Sequence, residues 1–208
     1  MSRVHRAVKG KFALLLAVLL PMVVGTSAFA ADPIEAKAKL CTVCHGEQGI
    51  PQLKTTPVIW GQNEGYLYLQ LRDFKSGARK NELMAPIVAT LEKDDFLALA
   101  AYFSNLKWPD LQQPSAPNAV AAKALTASAS VGCPGCHLAY FQGDGTTARL
   151  AGQWHEYLDK TMMDFRNGTR GNNPGMSDLM KATAPDDLAA LAEYLAGLQI
   201  DAYLNQGR

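Results

Sequence analysis

Two copies of a Cys-x-x-Cys-His pentapeptide, Cys41-Thr-Val-Cys44-His45 and Cys133-Pro-Gly-Cys136-His137, constrain this 208-residue chain more than any other feature. Two thiols three positions apart on a helical turn can each add to a vinyl group of haem, while the next histidine turns its imidazole toward the iron from the same side. A zinc site would want two further Cys or His ligands close by, and beyond its motif each half of the chain after residue 30 offers none except His155. A thioredoxin-like pair would want a strand before it and a βαβ context after it, whereas the surroundings here are alanine-rich and helical. The spacing therefore predicts two covalently bound haem c groups, one on Cys41 and Cys44 and one on Cys133 and Cys136, with His45 and His137 at the irons.

The chain also repeats itself around these motifs. Gly61-Gln62-x-x-x-Tyr66-Leu67, with Phe74, Gly77 and Arg79, returns as Gly152-Gln153-x-x-x-Tyr157-Leu158, with Phe165, Gly168 and Arg170, at an offset of 91. The offset is 92 for the CxxCH motifs and for "DDFLALAAYFSNL" against "DDLAALAEYLAGL". One deletion and one insertion in loops reconcile the two values. Two tandem domains of one fold are expected, over 31–107 and 119–208. Between them "KWPDLQQPSAPN", with three prolines, reads as an ordered, non-helical linker covering 108–118.

Residues 1–30 have the layout of a secretory signal. Arg3, Arg6, Lys9 and Lys11 precede an apolar run from Phe12 to Val24, and Ala28-Phe29-Ala30 supplies the small-x-small cleavage pattern. The run is short for a membrane span, so cleavage near Ala30 and release into the periplasm is the reading, with an uncleaved anchor as the alternative. Beyond it the chain keeps sixteen basic residues against nineteen acidic ones. That mild balance argues against nucleic acid as a partner and gives neither half a one-signed docking face.

The expected fold is all-α, each domain a small helical fold wrapped around its haem. Tyr66, Leu67, Gln70, Leu71 and Phe74 recur at helical spacing, and Tyr157, Leu158, Thr161, Met162 and Phe165 keep the same register. Most of these side chains read as core. Short helices lead into each CxxCH, around 33–44 and 118–128. A domain of under about a hundred residues buries too little apolar surface unaided, and a haem supplies the missing mass.

The sixth iron position separates a carrier from an enzyme, because a thioether there closes the site and raises its potential. Met84 is the only methionine of the first domain and stands in the loop between its middle and closing helices. Its repeat partner is Met176, with Met180 as the rival. Met162 and Met163 lie on a middle helix, where methionine more often fills core space. His155 has Glu64 as its repeat partner and reads as a surface residue.

The whole chain after the leader resembles the dihaem cytochrome c4 family, on the paired motifs, "WGQNEGYLYLQLRDFKSGAR" and "AGQWHEYLDKTMMDFRNGTR", and the helices "AAYFSNL" and "AEYLAGL". That resemblance implies His45 and Met84 on one iron and His137 and Met176 on the other, in two closely packed domains. It also implies an electron carrier, with no catalytic residues, running from a quinol-oxidising complex toward a terminal oxidase or another reductase. Any membrane association would be loose, through those partners. The haem subunit of flavocytochrome c sulfide dehydrogenase looks like the same arrangement, so a subunit docked on a flavoprotein is the alternative. A haem peroxidase is a distant third, since both irons read as closed.

Three further expectations concern tuning. Leu138 stands where Gly46 follows His45, and Ala148 stands where Pro57 offers its carbonyl to the histidine, so the two haems should differ in potential. Arg79 and Arg170 either face haem propionates or are solvated. Gln62, Gln153 and Trp154 are candidates for lining the haem edges.

Overall fold

The computed structural model describes residues 33–200, so the leader reading of residues 1–30 and its cleavage site lie outside the described residues. These contain helices and connecting loops and no strand. The N-terminal half carries α1 (Pro33–His45), α2 (Glu64–Ser76), α3 (Met84–Ala89) and α4 (Lys93–Ser104). The C-terminal half carries α5 (Asn118–Val131), α6 (Pro134–His137), α7 (His155–Asn167), α8 (Pro174–Ala182) and α9 (Pro185–Ala196). Among the described residues no helix is long and apolar enough to cross a membrane.

The halves pack alike. In the first, α1 lies against α4, and α2 against α3 and α4; in the second, α5 lies against α9, and α7 against α8 and α9. The apolar stripes read from the sequence supply the contacts. Leu67, Phe96, Leu99 and Phe103 sit in one cluster, and Leu158, Met162, Phe165, Leu188, Leu191 and Leu195 in the other. Both middle helices stop at a left-handed glycine, Gly77 and Gly168.

One local feature departs from the sequence reading. Met84 and Met176 stand in helices rather than a loop. Met84 opens α3 and Met176 lies in the first turn of α8, because an asparagine just upstream caps each turn. Asn81 Oδ1 accepts from the Leu83 and Met84 amides at 3.0 and 2.9 Å, and Asn173 Oδ1 accepts from the Met176 amide at 3.1 Å. As the expected spans of 33–44 and 118–128 imply, α1 runs unbroken through its CxxCH, while α5 ends at Gly132 (φ 77°) before the second motif. Pro134 then takes the first position of α6, where a missing N–H costs nothing. The His137 amide still donates to the Cys133 carbonyl at 3.0 Å, so the turn carrying both thiols stays helical.

The stretch between α4 and α5 is non-helical and well fastened. Trp108 buries with Val58 and Trp154 in a small third cluster. Gln113 Nε2 donates to the Gln153 and Ala196 carbonyls at 2.9 and 3.1 Å, and its Oε1 accepts from the His155 amide at 3.0 Å.

The halves also meet where α2 begins. The Tyr66 amide donates to the Gly145 carbonyl at 3.1 Å, and a Cβ on Gly65 would lie 2.8 Å from that same oxygen. Gly65→Ala is expected to destabilise the fold by about 1–3 kcal/mol through this overlap. A thermal unfolding scan should register the loss as a drop of about 2–4 °C per kcal/mol.

Candidate haem sites and the seam between them

Each histidine ends the helical turn that carries its cysteines, and each is buried, at 7% exposure for His45 and 8% for His137. His45 Nδ1 lies 2.7 Å from the Pro57 carbonyl oxygen and His137 Nδ1 lies 2.9 Å from that of Ala148. A carbonyl only accepts, so Nδ1 carries the proton and Nε2 keeps its lone pair. Burial holds both imidazoles below their usual pKa, against the opposing pull of the carbonyl bond, and so favours the neutral, ligating form.

The thiols lie beside them. Cys41 and Cys133 are half-buried, Cys44 and Cys136 are exposed, and none is paired in a disulfide. Burial, and then the neighbouring Cys44, push the Cys41 thiol up to about 11, and burial also raises Cys133. That is the reverse of a redox-active CxxC, whose attacking thiol is held low. Among the described residues no group of three or more His, Cys, Asp or Glu side chains is placed to hold a metal ion.

Leu138 shares the positive φ of its glycine counterpart. Gly46 has φ 88° and Leu138 φ 64° with ψ 171°, a region that side chains rarely enter. A Cβ on Gly46 would meet the Ile50 carbonyl oxygen at 2.3 Å. The leucine is thus held in a glycine conformation at a cost in strain.

The methionines differ in depth. Met84 and Met176 are partly buried at the edges of the two clusters, whereas Met180, the rival for the second iron, is 3% exposed within the core.

Between the halves lies a polar seam that sequence reading did not anticipate. Arg79 donates to Gln70 Oε1 at 2.9 Å and to the Tyr157 hydroxyl at 3.1 Å. Arg170 donates to the same Gln70 oxygen at 2.9 Å and to the Tyr66 hydroxyl at 3.3 Å. Asn172 Nδ2 bridges Gln70 Oε1 and Asp73 Oδ2 at 3.2 and 2.8 Å. Each guanidinium also stacks on the phenylalanine of its own middle helix, Arg79 on Phe74 and Arg170 on Phe165. Neither arginine is a freely solvated side chain. Tyr66 and Tyr157, read as core, spend their hydroxyls on the arginine of the opposite half. The signal available in the sequence was the repeat itself, which pairs Tyr with Arg in both halves.

This field favours anions. Burial alone would raise the Tyr157 phenol, but the Arg79 and Arg170 charges bring it down to about 7. Gln62 and Gln153 are taken up by the backbone of the opposite half rather than by a haem edge. Gln62 Nε2 donates to the Arg149 carbonyl at 2.9 Å and its Oε1 accepts from the Arg149 amide at 2.7 Å. Gln153 makes the same pair with Val58, at 3.0 and 2.9 Å. Trp154 belongs to the small apolar cluster with Val58 and Trp108.

These residues fit two haem groups. Each half presents two free thiols and an imidazole with a free Nε2, and the seam adds two guanidinium groups suited to carboxylates. The buried Trp60 Nε1 has no acceptor, and Leu40, Val43 and Leu83, close in sequence to the first thiol pair or to Met84, leave apolar surface uncovered.

No protein-family model matches the chain. It is 34% identical to cytochrome c4 of Pseudomonas aeruginosa over 200 residues, which span 89% of this chain and 98% of the relative. The chain belongs to the cytochrome c4 family. It is also 31% identical to the thiosulfate dehydrogenase electron acceptor of Stutzerimonas stutzeri over 209 residues, 95% of this chain and 97% of that one. The crystal structure of reduced recombinant cytochrome c4 from Pseudomonas stutzeri superposes with a TM-score of 0.69 at 29% identity, covering 82% of this chain and all of the other. The helical fold is thus that of cytochrome c4. Its cofactors are two covalently bound haem c groups, its role is electron carriage rather than enzymatic catalysis, and its partners are redox proteins.

Leu138→Gly is expected to relieve the strained backbone and stabilise the protein by about 1 kcal/mol, the strain release being partly offset by glycine's freedom in the unfolded chain. Denaturant unfolding of the two proteins at equal haem content checks this.

Proposed function

We propose that this protein is a periplasmic carrier with two His/Met-ligated haems. His45 and Met84 hold one iron and His137 and Met176 the other, with thioethers at Cys41 and Cys44 and at Cys133 and Cys136. The haem-binding domains cover 31–107 and 119–208, and residues 1–30 form a cleaved export signal. The observation that carries this reading is the repetition of one geometry. In both halves a buried histidine with its Nδ1 on a backbone carbonyl ends a CxxCH turn, and a methionine whose amide donates to an asparagine side chain lies in the first turn of a short helix after the next long one.

Bound haem supplies the one-electron chemistry, and the chain supplies ligands, exclusion of water and charge. His45 and His137 donate Nε2 and are steered by their carbonyls. Met84 and Met176 close the irons against small ligands. Arg79 and Arg170 offset propionate charge at the seam, where among the described residues their hydrogen bonds run to amide and hydroxyl oxygens. A quinol-oxidising complex as donor and a terminal oxidase as acceptor complete the reading.

A second reading is favoured by one relative, the thiosulfate dehydrogenase electron acceptor, which matches nearly end to end. Here the protein takes electrons from a dehydrogenase docked against it, in place of the flavoprotein suggested by sequence. Capture from periplasmic extract separates the two: recovered thiosulfate-oxidising activity supports it, and a recovered flavin supports a flavoprotein partner.

Met84→Ala and Met176→Ala are each expected to remove about half of the far-red methionine-to-iron charge-transfer band, with the histidine-ligated haem retained. The potentials of the wild-type haems should be distinct, since Pro57 and Gly46 in one half face Ala148 and Leu138 in the other. Two overlapping midpoints in a redox titration would remove that claim.

A further inference from the structure

The carbonyl that steers each histidine shares its peptide unit with the amide that the opposite half grips. Pro57 C=O accepts from His45 Nδ1, and the N–H of the same peptide, on Val58, donates to Gln153 Oε1 at 2.9 Å. In the other half Ala148 C=O accepts from His137 Nδ1, and the N–H of that peptide, on Arg149, donates to Gln62 Oε1 at 2.7 Å. Each glutamine is buried, Gln62 at 4% exposure and Gln153 at 2%. Each also anchors its own oxygen on the amide that follows it, Asn63 or Trp154, at 2.9 and 3.0 Å.

We propose that Gln62 and Gln153 are positioning residues that act across the seam, each setting the potential of the haem in the opposite half through the peptide that orients its histidine. The inference rests on the ligand set proposed above. A peptide unit is planar, so holding its N–H fixes the direction of its C=O. Hydrogen bonds in series also polarise one another, so accepting from the Val58 N–H makes Pro57 C=O the better acceptor for His45. A stronger bond at Nδ1 makes Nε2 more basic and favours the oxidised iron. Gln153 thus lowers the potential of the haem on His45, and Gln62 that of the haem on His137.

The symmetry distinguishes this from ordinary interface packing. Removing either glutamine takes away one cross-seam pair of bonds, so a purely structural role predicts similar loosening of both halves. The relay predicts a crossed pattern. Gln153→Met should raise the midpoint of the haem on His45 and leave that on His137 in place, and Gln62→Met should do the converse. The shift expected is about threefold in the oxidised-to-reduced equilibrium, about 28 mV on a one-electron scale of about 59 mV per tenfold.

The experiment is a redox titration of the purified dihaem protein with each haem followed by its own assigned NMR signals, the His45 and His137 Nδ1 protons being recorded in the reduced state. Crossed midpoint shifts, with the matching Nδ1 proton moving upfield, support the relay. A larger shift in the haem of the mutated half, equal shifts in both, or no shift would overturn it. Should the methionine variants fail to mature, Gln153→Glu and Gln62→Glu keep an acceptor oxygen at each site while losing the donor. With the acceptor kept, the Nδ1 proton of the opposite histidine should not move upfield, and an upfield shift there would overturn the relay. If His45 or His137 proves not to bind iron in the wild type, the ligand reading fails; if both bind and the midpoints stay put, only the relay fails.

Discussion

The bond from His45 Nδ1 to the Pro57 carbonyl, repeated from His137 to Ala148, decides which ring nitrogen is free and where it points. Much of each half serves to deliver that bond. The CxxCH turn must be helical so that two thiols and the imidazole share a side, and the following loop must return a carbonyl to the ring some eleven or twelve residues later. The constraint on that turn is strong enough to hold Leu138 in a glycine conformation and to rebuild the helix through Pro134 after Gly132 has broken it. Where sequence varies, backbone geometry is kept.

The seam follows a second rule, that buried cations need acceptors. Arg79 and Arg170 come from the ends of α2 and α7 and converge on one oxygen of Gln70, with Tyr66 and Tyr157 beside them. A neutral amide cannot balance two guanidinium charges; two haems bring four propionates. The two guanidinium groups are therefore suited to carboxylates that the cofactors bring.

The all-helical class, the duplicated helices and the histidine–carbonyl pairing were legible in the sequence because each rests on local spacing or on the repeat. Tyr66 through Phe74 fell on one helical face, and α2 formed there. The seam was not legible, since it depends on which side chains meet when two copies face one another. Tyr66 and Tyr157 looked like core from their helical spacing, yet both are only partly buried, and only the partner half reveals what their hydroxyls do. Gln62 and Gln153 were marked as notable by the repeat but assigned to haem edges, since nothing local announces a backbone partner about ninety residues away. The helices at Met84 and Met176 were missed for a simpler reason: each is short, and its asparagine cap lies within a stretch that otherwise reads as loop.

Duplication makes two sites alike, and a carrier with two irons gains from making them unlike. The differences here are concentrated where geometry is already pinned. Leu138 for Gly46 adds bulk and strain at a position that keeps a positive φ, and Ala148 for Pro57 changes stiffness without removing the carbonyl. Trp60 against Ala151 adds an indole N–H in one half only, and Asp73 is buried at the seam while its counterpart Asp164 turns to Lys160 and Thr169. Each exchange alters charge, hydrogen bonding or rigidity in one half, while the histidine–carbonyl bond is kept in both. The repeat thus supplies a common frame, and the departures from it are what make its two halves chemically unlike.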